Sequence, residues 1–130
     1  MPRFTIPLDP KSIGSMQLYR KAGTAGVATV TTDPVPSGIN RLILHAEMQH
    51  DDVAGNRRIG MFVTSPNGLN TGVPCTLDGV VIAASGERSN ALTEIWLPSG
   101  WYLTVVVGEG TITAAKLPTI NYCYIDVLHI

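Results

Sequence analysis

The sequence has almost no excess of charge of either sign: nine lysines and arginines face ten aspartates and glutamates, for a formal net charge of -1. With no basic field to gather phosphates or anionic headgroups, neither nucleic acid nor a membrane surface is expected as a partner. Charged residues are only 15% of the chain, so little repulsion holds copies apart, and this leans toward self-association. Cysteine is nearly absent. Cys75 and Cys123 are far apart, neither belongs to a CxxC pair, and both read as reduced, buried, small apolar residues rather than a disulfide. Long apolar runs are missing too. The first twelve residues, MPRFTIPLDPKS, have no apolar core of signal-peptide length, and no run approaches the roughly 20 residues that span a bilayer. The reading is of a soluble chain made in the cytoplasm.

What is present is apolar and punctuated. Hydrophobic residues make up 45% of 130 residues, which suits one compact domain over residues 1–130, and thirteen glycines and nine prolines supply joints. The chain is organised around residues 41–68, RLILHAEMQHDDVAGNRRIGMFVTSPNG. Leu42, Leu44, Ala46 and Met48 alternate with Ile43, His45, Glu47 and Gln49, the period-2 pattern of a half-buried strand. Ile59, Met61 and Val63 repeat that period before the Ser65-Pro66-Asn67-Gly68 turn. A hairpin with a polar corner at 50–57 is the expectation.

Ahead of it, residues 1–12 form a proline-bracketed arm, in which Phe4 and Ile6 sit between Pro2, Pro7 and Pro10 on a segment too poor in donors for a central strand. Residues 11–25 read as loop with at most one helical turn, and 27–32 as a β-branched strand closed by a rigid turn over 33–38. After the hairpin comes a wandering stretch whose one sustained apolar run is Val80, Val81, Ile82 and Ala83. Residues 91–97 and 101–107 flank Pro98-Ser99-Gly100 and read as a second hairpin, with proline at the second position of its turn. Residues 111–116 and 120–130 complete seven or eight strands. The fold class predicted is all-β, an antiparallel β-sandwich of jelly-roll-like form.

Each chemically suggestive group has a plainer reading beside it. His50, Asp51, Asp52 and Asn56 offer oxygen and imidazole ligands at the corner, but without DxDxDG spacing the expectation is a solvated turn and no metal. Arg57 and Arg58 follow at once and can pair with the two aspartates. The histidines at 45, 50 and 129 have no zinc spacing, no serine lies in GxSxG, and nothing brings two of Glu47, Glu87, Glu94 and Glu109 together as an acid/base pair. No catalytic residue and no cofactor is expected. Trp96, Trp101 and Tyr102 cluster near one turn, where a sugar-stacking platform competes with ordinary core or interface filling, and Tyr122 and Tyr124 share a face of the last strand. The GEGT turn at 108–111 lacks the helix a phosphate loop needs.

The run DDVAGNRRIGMFVTSPNG, followed some thirty residues later by LPSGWYL, resembles small virion proteins of tailed bacteriophages, in which a strand, a corner ending in GNR, a second strand and a late LPxGW element occur in that order. The resemblance covers residues 41–107 and implies a jelly-roll-like sandwich on the outer surface of a phage head, a cement or decoration protein made in the host cytoplasm. Its implied partners are the major capsid protein and further copies of itself, as a dimer or trimer. It transfers no catalytic residues; Gly55, Asn56, Arg57, Pro98, Gly100 and Trp101 become architectural positions, with Gly55 and Asn56 suited to positive φ. The alternative is a receptor- or glycan-binding tail module or other tail or adaptor component; a third possibility, a small hydrolase, requires the histidines and corner aspartates to converge.

Overall fold

The computed structural model describes residues 14–73, 80–91, 93–108 and 112–128. Among these, ten strands run in chain order: β1 (Gln17–Ala22), β2 (Thr29–Thr31), β3 (Ile39–His50), β4 (Arg57–Thr64), β5 (Asn70–Gly72), β6 (Val80–Ala83), β7 (Ser89–Asn90), β8 (Ile95–Leu97), β9 (Tyr102–Val107) and β10 (Pro118–Leu128). One sheet, A, has the order β1-β10-β3 with β7 and β8 both on the far side of β3; the other, B, has β2-β9-β4 with β5 and β6 both on the far side of β4. Every pairing among them is antiparallel.

Counting β5 with β6 and β7 with β8 as single broken strands leaves eight strand positions. The first pairs with the eighth, the second with the seventh, the third with the sixth and the fourth with the fifth. That is one long antiparallel ribbon rolled around a core, the jelly roll. Consecutive long strands therefore lie in opposite sheets, which corrects both expected hairpins: β3 and β4 do not pair with each other, and neither do β8 and β9. Turn chemistry reverses the chain but does not choose which sheet receives it. Residues 11–25, read as loop, contain β1, whereas the described part of 111–116 is a turn with Ala115 at φ 66° and no strand.

The core lies between the sheets. Directly opposed residues share a face, so Ile43, Ala46 and Met48 of β3 line up inward with Tyr124, Tyr122 and Ile120 of β10, and Ile59, Met61 and Val63 of β4 with Val107, Val105 and Leu103 of β9. The register between β3 and β10 shifts between Cys123 and Tyr124, leaving Leu44 without a facing residue. One extra residue exchanges the faces of everything beyond it. Ala46 and Met48 consequently point inward as the alternation predicts, while Ile43 replaces Leu42 and Leu44 on the core side. Cys123 is half-buried on the outer side opposite His45 rather than in the core, and Cys75 lies outside the described residues.

Candidate functional site

The polar corner is built where β3 hands over to β4. Asp52 has no exposed surface, and its carboxylate accepts from the backbone N–H of Thr113 at 3.0 Å, from that of Ala54 at 3.0 Å and from Arg57 Nε at 3.1 Å. These bonds, Thr113 first, hold the Asp52 carboxyl well below the usual carboxylate range against the opposing cost of burial. Arg57 reaches this point because it faces inward from the first residue of β4, opposite Ala83 of β6. His50 is likewise buried: its Nδ1 accepts the Asp52 N–H at 3.1 Å, which places the ring proton on Nε2, the donor to the Ala83 carbonyl at 2.8 Å. Asp51, exposed, accepts from Leu117 N–H at 2.7 Å.

The corner thus has two layers: His50 and Asp52 form a buried rivet joining the end of sheet A, the start of sheet B and the segment 112–117, while Asp51 and residues 53–56 stay exposed to solvent as the expected turn. Its groups are committed to structure: the bonds around His50 and Asp52 close inside the fold, and no three His, Cys, Asp or Glu residues among those described are grouped to hold a metal ion. Gly55 has φ 148°, in the region that favours glycine, but Asn56, expected at positive φ, is not there. Arg58 is exposed on the outer side of sheet B.

A second polar cluster escaped the sequence reading. Arg41, only 7% exposed, sits on the inner face directly opposite Asp126 and forms a two-pronged pair with it, at 2.7 Å from Nε and 3.0 Å from Nη2. Its Nη1 donates to the Tyr122 hydroxyl at 3.0 Å, and its guanidinium lies 4.0 Å from the centre of the Tyr124 ring. Tyr19 of β1 stacks on Tyr122 with centroids 4.7 Å apart, and Tyr124 meets Tyr122 edge-on. Burial alone would weaken the guanidinium's hold on its proton, but Asp126 and Tyr122 more than reverse this and raise its pKa; burial pushes Tyr122 up to about 12. The signal was in the chain. Tyr122, Tyr124 and Asp126 recur at period 2, so an inward carboxylate at the end of an aromatic face demanded a cation opposite it.

The aromatics around the late turn do not form one platform. Trp96 stands on the outer face of sheet A, 54% exposed, whereas Trp101 packs against the core and Tyr102 is half-buried in sheet B. Between them the turn runs from Pro98 to Trp101, whose N–H donates to the Pro98 carbonyl at 3.1 Å, so proline occupies the first position rather than the second. Ser99 fastens the turn to β3, donating to the Ile39 carbonyl at 2.6 Å, and Gly100 N–H donates to the Val35 carbonyl at 2.8 Å. Gly100 has φ 85°, and a Cβ there would stand 3.2 Å from Pro66 Cγ. Gly100→Ala is expected to cost about 1–2 kcal/mol by urea denaturation, from left-handed strain plus that contact. Phe4 and Ile6 lie outside the described residues.

The outer face of sheet A carries an apolar row in which Trp96 is exposed and Leu42 and Ile125 are half-buried. Leu42 is directly opposite Trp96 on one side and Ile125 on the other, and Leu18, 84% exposed, shares that face. Beside the row is a shallow groove of about 390 Å³ lined by Leu18, Arg20, Glu47, Gln49, Arg88 and Asn121. Glu47 faces Arg88 at 3.5 Å and His45 at 3.7 Å across its margin.

No family model matches the chain, and no curated protein sequence matches it. Among solved structures it is similar to a subunit from Bacillus endospore appendages, described as disulfide-linked pili, at 12% identity and TM-score 0.47 over 92% of this chain and 90% of that one. It is also similar to a chain of the cyanophage Pam1 capsid, at 14% identity and TM-score 0.46 over 89% and 84%. A third likeness, at 12% identity and TM-score 0.40 over 97% and 86%, is to a virus-like particle of the extra small virus of the prawn Macrobrachium rosenbergii.

Proposed function

We propose that this chain is a structural virion protein that binds the outer surface of a phage capsid, associates with the major capsid protein and with its own copies, and stabilises the shell without catalysing a reaction. The observation that carries this reading is the row Trp96, Leu42, Ile125 on the solvent side of sheet A. Apolar side chains aligned across three adjacent strands cover a sheet face that water does not favour, and such patches mark association surfaces. The polar residues that chemistry would need, His50, Asp52 and Arg57, are consumed by the fold. On a symmetric shell, modest contacts repeated over many copies suffice for tight retention. The arm at 1–12, with Phe4 and Ile6, is assigned to reach a neighbouring subunit.

The tail-module alternative draws on the same exposed Trp96, but Trp101 and Tyr102 are half-buried elsewhere, leaving one ring rather than a cluster. The test is to add the purified chain to phage shells lacking it. Saturable binding with raised heat resistance is expected, and Trp96→Glu should weaken it by at least about tenfold, the effect of one hot-spot side chain. Absence of binding, or binding that leaves heat resistance unchanged, contradicts the shell role.

A further inference from the structure

The edges of the two sheets differ in how they are finished. Sheet A ends on β1, a six-residue strand in unbroken register with β10 from Gln17 opposite Tyr124 to Ala22 opposite Thr119. Gly23 N–H donates to the Pro118 carbonyl at 2.8 Å, and these two residues continue that register. In an antiparallel ladder the bonded pairs recur every second residue, so Gln17, Tyr19 and Lys21 spend their backbone groups on β10. Leu18, Arg20 and Ala22 therefore turn theirs to the open side. Among the described residues, none of the turn, loop or side-chain hydrogen bonds involves the backbone of these three.

Such an edge is normally guarded by charge, bulge or proline. β1 has no proline and no bulge, and Lys21 is drawn aside to Asp33 at 3.5 Å. Leu18 and the preceding Met16 are among the most exposed apolar side chains described, at 84% and 64%. Arg20 alone guards the edge.

We propose that two copies of this chain pair through their β1 edges, antiparallel across a twofold axis at Tyr19, so that sheet A continues from one copy into the next. This register sets Leu18 against the aliphatic stem of Arg20 of the second copy and Lys21 against Gln17, and it avoids the like-charge pair that an axis at Arg20 would create. On the inner face it brings the two Tyr19 rings together. The row Tyr124, Tyr122, Tyr19 then runs on into its symmetry mate, and cross-strand aromatic pairs of this kind stabilise sheets. The other occupant available, the arm at 1–12, carries Pro2, Pro7 and Pro10, which deny it donors at the spacing a continuous ladder needs. A self-pairing edge satisfies twofold symmetry by construction, since the same surface serves both copies.

The full chain should sediment as a concentration-dependent dimer. Amide exchange at Leu18, Arg20 and Ala22 should slow in the dimer and return to the free-strand rate on dilution. Arg20→Pro removes an N–H that serves the second copy and not β10, so it should weaken the dimer at least about tenfold, two bonds being lost per pair, while the tryptophan and tyrosine near-ultraviolet signal of the fold persists. A monomer at every concentration overturns the proposal. So does a dimer in which these three amides exchange freely, or one that Arg20→Pro leaves intact. A β1 dimer that fails to bind shells would stand, and would count against the shell role alone.

Discussion

Asp52→Ala is expected to lower the melting temperature by about 10 °C or more, because it strips three partners at once inside the fold. Thr113 N–H, Ala54 N–H and Arg57 Nε all point at this one carboxylate, and removing it leaves the two amides without their acceptor and the guanidinium without its counter-charge. The same geometry dictates the response to acid. The Asp52 carboxyl is held well below its ordinary value, so the folded chain binds its proton less readily than the unfolded chain does. Its stabilisation is fully present above the unfolded carboxylate value of about 3.9, and is lost progressively as pH falls below that toward the depressed folded value. Thermal melts at stepped pH should show a steep loss below about pH 4. In Asp52→Asn, which cannot titrate, the starting stability should be lower and that part of the acid slope should disappear. An unchanged slope in the variant would assign acid sensitivity to other carboxylates.

Arg41→Ala should cost about 2–4 kcal/mol by urea denaturation, with the m-value unchanged. The substitution leaves Asp126 without its two-pronged partner and the Tyr122 hydroxyl without a donor, and it opens space beside the Tyr124 ring. The range stops short of a fully buried pair because the Asp126 side chain keeps 23% of its surface. Arg41→Lys tests the shape of the interaction rather than its charge. A lysine ammonium cannot bond both carboxylate oxygens in one plane while lying over an aromatic ring, so it should recover less than half of the loss. Full recovery by lysine would mean that charge alone matters there. The pairing also links distant parts of the chain, since Arg41 is in β3 and Asp126 in β10, the two longest strands described.

The strands whose inward residues recur at period 2 are legible from the amino-acid order. Ile59, Met61 and Val63 of β4 and Leu103, Val105 and Val107 of β9 face the core in the alternation their sequence displays, and the count needs nothing beyond neighbours in the chain. β1 is not legible because it is an edge: of its six residues only Tyr19 and Lys21 are even half-buried, so there is no apolar alternation to count. The first half of β3 reads onto the wrong face because the unpaired Leu44 depends on β10, some eighty residues away, and leaves no local mark. The two expected hairpins show a related limit. The corner at 50–57 and Pro98-Ser99-Gly100 each carry the chain from one sheet to the other, whereas Ser65-Pro66-Asn67-Gly68 does close a hairpin, between β4 and β5.

The corner illustrates why a site is harder to read than a strand. His50, Asp51, Asp52 and Arg57 are visible in the sequence as a polar group, and the pairing of Arg57 with an aspartate follows from their nearness along the chain. That Asp52 rather than Asp51 is buried is not visible there. The choice is made by Thr113, whose N–H arrives from a segment that reads as strand and folds as a turn. The outward apolar row on sheet A is hidden for a similar reason, since Trp96, Leu42 and Ile125 come from three separate strands and become neighbours only through the roll.

A shell role exercised through that row can be checked by locating this chain in intact virus particles by cryo-electron microscopy. Many copies spread over the icosahedral head are expected, with Trp96, Leu42 and Ile125 turned toward a neighbouring subunit. A handful of copies confined to one vertex or to the tail, or particles without the chain, would contradict it.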